Sequence, residues 1–275
     1  MPRLLPPYAP RVVFEDEDLL VVDKPPFLEA HPSKPSTVTT LWDELRSLLA
    51  YEIANGGQVS IINRLDRETS GLTLVAKHRD AARRLSMLMQ ERAIEKEYLA
   101  LVHGHPLADT WRVEGSLLRQ GTIRSSRVWV KQCVHPLGAL ATTDFRVESR
   151  VWRNGMPFAR VRAQPETGRM HQIRVHLAHG GHGIVGDKLY GPAGEDCYLE
   201  FIETGWTSSL AARLLLPRQA LHSALLRVEG REWRSEWPPD LEKGFVASQE
   251  PGVTVPVAGT CRPPSESGVP ASIVA

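Results

Sequence analysis

The sequence predicts an α+β fold in which helices flank a mixed, mostly antiparallel sheet. Short apolar segments of strand length end repeatedly at proline or glycine. Strands and helices follow one another without the βαβ regularity of a parallel sheet, and the region from 110 to 165 is β-like throughout. The chain of 275 residues is 42% hydrophobic and 24% charged, which is typical of globular proteins and excludes a disordered chain, a fibre and a coiled coil.

The first predicted elements are two strands and a helix. Residues 12–14 and 19–22 predict strands joined by an acidic turn, and Lys24-Pro25-Pro26 ends the second strand because consecutive prolines cannot continue a ladder. Residues 29–38 predict a loop. Thr39 or Thr40 then caps a helix with apolar residues at helical spacing, namely Leu41, Leu45, Leu48 and Leu49.

The next elements are strands on either side of a second helix. A short strand, a polar turn and a buried strand are predicted at 59–62, 63–71 and 72–76. Asp80 is predicted to cap a helix that runs to about Ile94, and residues 98–102 form the following strand. Helical spacing returns from Met170 to about His179, where Gly180-Gly181 ends the helix. A strand near 221–228 and the segment 233–237 close the globular part.

The predicted organisation is an N-terminal arm at 1–11, one globular domain at 12–243 and a disordered tail at 244–275, which is rich in Pro, Gly, Ser and Val. No apolar run has the length of a membrane helix, and the N-terminus has no signal-peptide core. Three cysteines, odd in number and far apart, fit neither a disulfide framework nor a CxxC metal site. We therefore expect a cytoplasmic protein, monomeric and without an obligatory protein partner.

The charge is distributed unevenly along the chain. The formal net charge is only +1, but residues 111–174 carry 12 basic and 4 acidic side chains, a net +8, and eleven of the basic ones are arginines. Arginine stacks on bases and binds phosphates with two parallel hydrogen bonds, so this segment indicates a nucleic-acid partner. The alternative is a solvated sheet face with interspersed charges.

Two segments carry residues suited to chemistry. Asp66 lies in a turn between Arg64 and Arg67, and flanking positive charge keeps a carboxylate ionised and usable as a nucleophile. The alternative is an aspartate that accepts backbone N–H groups in the turn. In the second segment, His171, Arg174 and Ala178 share one helix face, so Arg174 is positioned to pair with a carboxylate unless it is an ordinary surface arginine.

Other catalytic classes have weaker support. The histidines at 171, 176, 179 and 182 suggest zinc, but the sequence between them offers no carboxylate or cysteine ligand, so we expect no metal site. Gly180-Gly181-His182-Gly183 lacks the Lys-Ser/Thr of a P-loop. No serine lies in a Gly-x-Ser-x-Gly elbow.

Taken together, the segments resemble the RluA-type family of RNA pseudouridine synthases over residues 12–240. The signature is Arg64-Leu65-Asp66-x-x-Thr69-Ser70-Gly71-Leu72. The other motifs follow the family's order: Asp23-Lys24-Pro25-Pro26 with His31-Pro32, Lys96-x-Tyr98-x-Ala100-Leu101-Val102, Thr167-Gly168-Arg169-x-His171-Gln172-Ile173-Arg174-Val175-His176, Gly186-Asp187-x-x-Tyr190-Gly191 and Leu221-His222-Ser223.

The resemblance implies the pseudouridine synthase catalytic fold and isomerisation of selected uridines in tRNA or rRNA, without metal or organic cofactor. It implies that Asp66 is the catalytic carboxylate, Tyr98 packs against the target uracil and takes part in proton transfer, and Arg174 pairs with Asp66. Arg64, Arg169 and His171 would bind substrate RNA and assist flipping of the base, because a stacked uridine is out of reach. The arginine-rich segment would hold the phosphates.

The chain departs from the family pattern at three places. Asn63 stands where histidine is usual, at a position suited to orient the loop, and Phe27 stands where glycine is common. Many relatives carry an N-terminal S4 RNA-binding domain, and here the catalytic-domain motifs begin near residue 12. Two other classes stay open at this point: a catalytically inactive RNA-binding protein with the same fold, and a metal-dependent hydrolase built on the histidines.

Overall fold

The computed structural model describes residues 9–32 and 38–247, and sheet strands dominate this part of the chain. The strands are β1 (Arg11–Glu15), β2 (Leu19–Lys24), β3 (Ser60–Ile61), β4 (Ser70–Ala76), β5 (Glu95–His103), β6 (Thr110–Glu114), β7 (Leu117–Arg119), β8 (Gln132–Val134), β9 (Thr142–Arg153), β10 (Met156–Pro165), β11 (Leu221–Val228), β12 (Arg231–Arg234) and β13 (Val246–Ala247). The helices are α1 (Leu41–Leu48), α2 (Ala50–Ala54), α3 (Arg79–Gln90), α4 (Gln172–His179), α5 (Asp196–Thr204) and α6 (Ser208–Leu214), with 3₁₀ turns at Gln120–Thr122 and Pro239–Leu241.

One large sheet runs in the order β1-β2-β4-β11-β5-β10-β9-β13, and β3, β6 and β12 pair with its members. Strands β7 and β8 form a separate two-stranded sheet. Within the described ranges, every strand pair is antiparallel except β4 with β11. The predicted α+β class with a mostly antiparallel sheet is therefore confirmed.

Helices α1 and α3 cover opposite faces of this sheet. Leu20 and Val22 of β2 pack with Leu41 and Leu45 of α1, whereas the alternate residues Leu19 and Val21 lie in the cluster that contains Leu85 of α3. Successive side chains of a strand point to opposite faces, so β2 is apolar on both faces and lacks the polar alternation of an edge strand. Helix α4 packs against β5 and β10 through Ile173 and Leu177.

The single parallel ladder places the loop before β4 next to the start of β11. His222 pairs with Ser70, and Ser223 pairs with Gly71. Gly71 has φ 109°, and a Cβ at this position would lie 2.3 Å from the Ser223 carbonyl oxygen. Only glycine allows the two strands to approach so closely, which explains the glycine that follows Thr69-Ser70.

The helix ends agree with the sequence at one helix and differ at the next. Thr40 caps α1 in a capping box with Asp43, as predicted. The prediction that Asp80 caps the second helix is wrong: the extended residue His78 is the N-cap, and its Nδ1 accepts from the Ala81 N–H. That helix ends at Gln90 rather than near Ile94, because Arg92 adopts φ 59° and turns the chain into β5.

Three further expectations meet the structure only in part. Leu48 was expected on the apolar face of α1 but is exposed, and Leu49 is buried instead. The ordered structure extends beyond the predicted boundary at 243, since Phe245 is buried in the main core and β13 pairs with β9. Residues 1–8, 33–37 and 248–275, which include most of the predicted arm and tail, lie outside the described residues. None of the described helices is long and apolar enough to cross a membrane.

Candidate active site

A cleft of about 820 Å³ opens where the loop at 63–69 faces the segment 165–174. All six residues singled out from the sequence line it: Arg64, Asp66, Tyr98, Arg169, His171 and Arg174. They come from three separate parts of the chain, namely the loop before β4, the middle of β5 and the start of α4. Folding therefore brings together every predicted site residue around one concave surface.

The loop that carries Asp66 is attached to β4 through Asn63. The buried Asn63 side chain donates from Nδ2 to the Leu72 carbonyl oxygen at 3.1 Å, and its Oδ1 accepts from the Leu74 N–H at 2.6 Å. At the other end, the Thr69 N–H donates to the Asp66 carbonyl oxygen at 3.1 Å. Asn63 thus orients the loop, which gives a structural reason for the residue that replaces the usual histidine.

Asp66 forms the predicted ion pair with Arg174, and a second carboxylate completes the arrangement. Arg174 Nη1 lies 2.7 Å from Asp66 Oδ2. The same guanidinium donates from Nε and Nη2 to Asp187, at 2.7 and 2.9 Å. The Asp187 side chain is 0% exposed and also accepts from the Leu189 and Tyr190 N–H groups. Asp187 belongs to the Gly186-Asp187 motif, but the sequence indicated no role for it.

This arrangement keeps Asp66 ionised. Burial by itself raises the pKa of Asp66, but the charge of Arg174 and its hydrogen bond outweigh burial and hold that pKa below its ordinary value. Burial likewise opposes ionisation of Asp187, yet Arg174 lowers its pKa as well. The pKa of Arg174 is raised well above its ordinary value, because the two carboxylates outweigh burial. All three groups are charged at neutral pH.

One oxygen of Asp66 remains available for chemistry. Oδ2 accepts from Arg174 and, at 3.4 Å, from Nε2 of Gln219, which also donates to Thr69 Oγ1 at 2.6 Å. No residue within 9–32 or 38–247 donates a hydrogen bond to Oδ1. The Asp66 side chain is 29% exposed, so this oxygen is open to the cleft. Gln219 was not found from the sequence, which carries no signal for it.

Tyr98 forms a wall of the cleft from the middle of β5. Its neighbours in the sheet are Ala163 of β10 and Ser223 of β11, so its backbone is held on both sides. Burial raises the pKa of Tyr98 to about 12, against a hydrogen bond with Ser223 that lowers it. The hydroxyl is therefore protonated at neutral pH.

His171 differs from its predicted helical position. Helix α4 begins at Gln172, and His171 is the N-cap with a left-handed φ of 57°. Its Nδ1 lies 2.8 Å from the Tyr190 hydroxyl, and its Nε2 lies 4.0 Å from Asp66 Oδ2. Burial and the charge of Arg174 lower the pKa of His171 to about 4, so the ring is neutral at pH 7. The left-handed turn directs the imidazole toward Asp66, which a helical residue could not reach in the same way.

Lys24 supports the loop from below, and sequence reasoning assigned it no role. The ammonium group is fully buried and donates to the carbonyl oxygens of Pro25 and Leu28, both at 2.9 Å, and to that of Arg67 at 3.3 Å. Burial lowers the pKa of Lys24 to about 7, although the charge of Asp66 raises it. The signal was its place in the Asp23-Lys24-Pro25-Pro26 motif, where it joins the end of β2 to the loop that carries Asp66.

The arginine-rich segment presents less free charge than its composition suggests. Seven of its eleven arginines form ion pairs with carboxylates: Arg112, Arg127, Arg146, Arg150, Arg160, Arg162 and Arg174. In the described structure, the cations near the cleft or on the adjoining hairpin that lack a carboxylate partner are Arg64, Arg67, Arg119, Arg124 and Arg169. The expectation that the whole segment holds phosphates is thereby narrowed to these few residues.

The histidines do not converge as metal ligands. Both ring nitrogens of His176 are engaged, Nδ1 with Thr143 Oγ1 and Nε2 with the Gly115 carbonyl oxygen, each at 3.0 Å. His182 Nδ1 lies 3.0 Å from the His103 carbonyl oxygen. Within the described part of the chain, no three His, Cys, Asp or Glu residues are grouped so as to hold a metal ion. The hydrolase alternative therefore gains no support.

Comparisons with known proteins agree on one family. The sequence model described as RNA pseudouridylate synthase matches residues 18–179. Ribosomal large subunit pseudouridine synthase D of Yersinia pestis is 37% identical over 239 residues, which cover 84% of this chain and 68% of that protein. The protein of the same name from Salmonella typhimurium is 36% identical over 243 residues, with the same coverage. The solved structure of human RNA pseudouridylate synthase domain containing 1 has a TM-score of 0.63 at 26% identity, covering 86% of this chain and 87% of that one.

Proposed function

Because this chain belongs to the RluA-type family of RNA pseudouridine synthases and is an isomerase that converts uridine to pseudouridine in RNA, we propose that Asp66 is its catalytic carboxylate and large-subunit ribosomal RNA its substrate. The observation that carries the catalytic assignment is the ionised Asp66, with one oxygen bound to Arg174 and the other open to the cleft. The names of the relatives support the choice of ribosomal RNA.

The reaction suits a single carboxylate. The C1′–N1 bond breaks, the uracil rotates, a C1′–C5 bond forms, and the hydrogen on C5 leaves as a proton while N1 gains one. The exchange is redox-neutral, so it requires no oxidant or reductant. Oδ1 of Asp66 either attacks C1′ or removes the C2′ proton to give a glycal, and both routes need the ionised form that Arg174 maintains.

Asp187 is a positioning residue in this proposal. Its two hydrogen bonds fix Nε and Nη2 of Arg174, so Nη1 is the donor directed at Asp66. A planar guanidinium held at one edge by a carboxylate has little freedom to rotate. Arg174 therefore holds Asp66 in one orientation as well as neutralising its charge.

Tyr98 and the rim residues handle the uracil. We assign Tyr98 to pack against the ring, since it is a buried aromatic wall of the cleft, and to relay a proton only in exchange for its own. Detached uracil must be retained while it rotates, which favours an enclosed apolar wall. Arg64, Arg169 and His171 line the same cleft, where they bind the strand and assist flipping of the uridine toward Asp66. A binding protein without catalysis would have no use for this buried ion-paired carboxylate.

The first test is to map pseudouridines in total RNA from cells with and without the gene. We expect at least one uridine of the large-subunit ribosomal RNA to lose its modification when the gene is absent and to regain it with the parent gene. Complementation with an Asp66→Asn gene serves as the matched control and should leave the site unmodified. A loss confined to tRNA would overturn the ribosomal substrate, and an unchanged map would overturn the proposed function.

Salt dependence tests the electrostatic part of the proposal. Five unpaired arginines lie at the cleft or on the adjoining hairpin (Arg64, Arg67, Arg119, Arg124 and Arg169). If all five meet phosphates of a single strand, the plot of log affinity against log salt concentration should have a slope of about −3.5. Engagement of all twelve cations of the 111–174 segment would give about −8 instead. Fluorescence anisotropy with labelled RNA between 50 and 300 mM KCl, as about the useful range, separates the two.

A further inference from the structure

A hairpin beside the cleft exposes a tryptophan. Residues 117–134, here called the arm, contain β7 and β8, which form the small sheet separate from the main one. Trp129 lies between these strands and is 75% exposed, whereas the other described tryptophans are buried or half-buried. Burial of a large aromatic ring is strongly favourable, so an indole left in solvent indicates a contact made with another molecule.

One face of this indole is already covered by a cation. The Arg119 guanidinium lies 3.5 Å from the Trp129 ring centroid. Within the described residues Arg119 has no carboxylate partner, and Arg124 of the same arm bonds only to the neutral Gln120 side chain. The arrangement leaves the second ring face free beside two unneutralised positive charges. Aromatic faces interleaved with arginine are how proteins bind single-stranded nucleic acid without base-specific hydrogen bonds.

The arm is attached directly to the wall of the cleft. Val130, the residue after Trp129, lines the cleft together with Asp66. The Gln132 N–H donates to the Tyr190 hydroxyl at 2.8 Å, and that hydroxyl lies 2.8 Å from His171 Nδ1. Trp129 therefore lies close to the cleft mouth, on an arm connected by hydrogen bonds to a residue that faces Asp66.

We propose that the free face of Trp129 is a stacking site for a base of the substrate strand close to the target uridine, with Arg119 and Arg124 at its phosphates. This inference rests on the proposed function for the identity of the strand. RNA fits better than a protein partner, because the indole is bordered by unpaired arginines rather than by a continuous apolar surface. The site recognises any base through its π-face, so it adds affinity and alignment with little sequence preference.

The test compares two strands of the same length by fluorescence anisotropy: labelled 12-nucleotide oligouridine, and a ribose-phosphate strand that lacks bases. Trp129→Ala should weaken binding of oligouridine about tenfold and leave binding of the abasic strand unchanged. Trp129→Phe, which keeps an aromatic face, should stay within about threefold of the parent on both strands. Tyr51→Ala is the matched control, since Tyr51 is 80% exposed on α2 and is not part of the cleft wall.

The outcomes separate this inference from the proposed function. Equal binding of oligouridine by the parent and Trp129→Ala, or an equal loss on both strands, would overturn the stacking site. Because the assay measures binding without turnover, it gives the same answer if the pseudouridine map shows no product. A chain that binds oligouridine through Trp129 but modifies no ribosomal uridine would refute the proposed function and retain the stacking site.

Discussion

Asp66→Asn is expected to abolish turnover, by at least about a thousandfold, and to leave the fold intact. Asparagine keeps the shape and hydrogen-bonding capacity of the side chain but has neither the nucleophilicity nor the basicity of a carboxylate. Stability should change by less than about 1 kcal/mol, since Arg174 retains its two bonds to Asp187 and a neutral buried pair remains. Release of tritium from RNA that contains 5-tritiated uridine measures turnover, and urea unfolding measures stability.

The control for this prediction is Asp109→Asn. Asp109 is an exposed carboxylate paired with Arg150 outside the cleft wall, so the same chemical change there should leave turnover near that of the parent. Activity of Asp66→Asn within tenfold of the parent would show that another group carries the reaction.

Arg174→Ala is expected to lower both stability and turnover. The guanidinium compensates two carboxylates, and Asp187 is completely shielded from water. Removal of one partner from a buried ion pair costs about 3–5 kcal/mol, because the remaining charge is buried without compensation. Turnover at pH 7 should fall about a hundredfold as the oriented cation beside Asp66 is lost. Urea unfolding and the tritium assay measure the two effects.

The pH dependence of this variant has a definite sign. Without Arg174, burial raises the pKa of Asp66 and Asp187 in the folded protein above that of an unfolded aspartate. The folded variant then binds protons more readily than the unfolded chain, so its stability rises as the pH falls from 7 toward 4. In the parent both pKa values are lowered, and stability is lost as the pH falls through them. The stability deficit should therefore narrow at low pH, and the activity profile should move toward higher pH.

Double-mutant cycles identify the partner that dominates. Removal of Asp66 with Arg174 still leaves Asp187 buried and unpaired, so the stability coupling between 66 and 174 should be small. Removal of Asp187 with Arg174 leaves no isolated buried charge there except the partly exposed Asp66, so that coupling should reach about 2 kcal/mol. Arg174→Lys should restore only part of either effect, because an ammonium group lacks the two-pronged donor that fits a carboxylate. Strict additivity of both pairs would contradict the three-residue arrangement.

Much of the architecture could be predicted from local sequence patterns. The strands at 12–14, 19–22 and 221–228, the Thr40 cap and the antiparallel class depend on periodicity, proline and capping chemistry, which act over a few residues. The misplaced cap at Asp80 has a physical explanation. Aspartate is the better capping residue in isolation, but the extended backbone of His78 and its bond to Ala81 set the start of α3.

The six candidate site residues were also found from the sequence, because Asp66, Tyr98 and Arg174 belong to motifs with recognisable spacing. Their electrostatic context was not. Asp187 holds Arg174, Lys24 supports the loop under Asp66, and Gln219 reaches the same carboxylate from across the parallel ladder. Each of these contacts joins residues that are remote in the chain or point away from any local pattern.

The sequence by itself determined the fold class, the reaction family and the identity of the catalytic carboxylate candidate, since these depend on residue types and their order. The tertiary structure decided which charges are free. Most arginines of the 111–174 segment are neutralised by carboxylates that lie elsewhere in the chain, such as Glu97, Glu195 and Glu242. Net charge counts side chains without regard to distance, whereas an ion pair forms only within a few ångströms, so composition overstated the surface available to RNA.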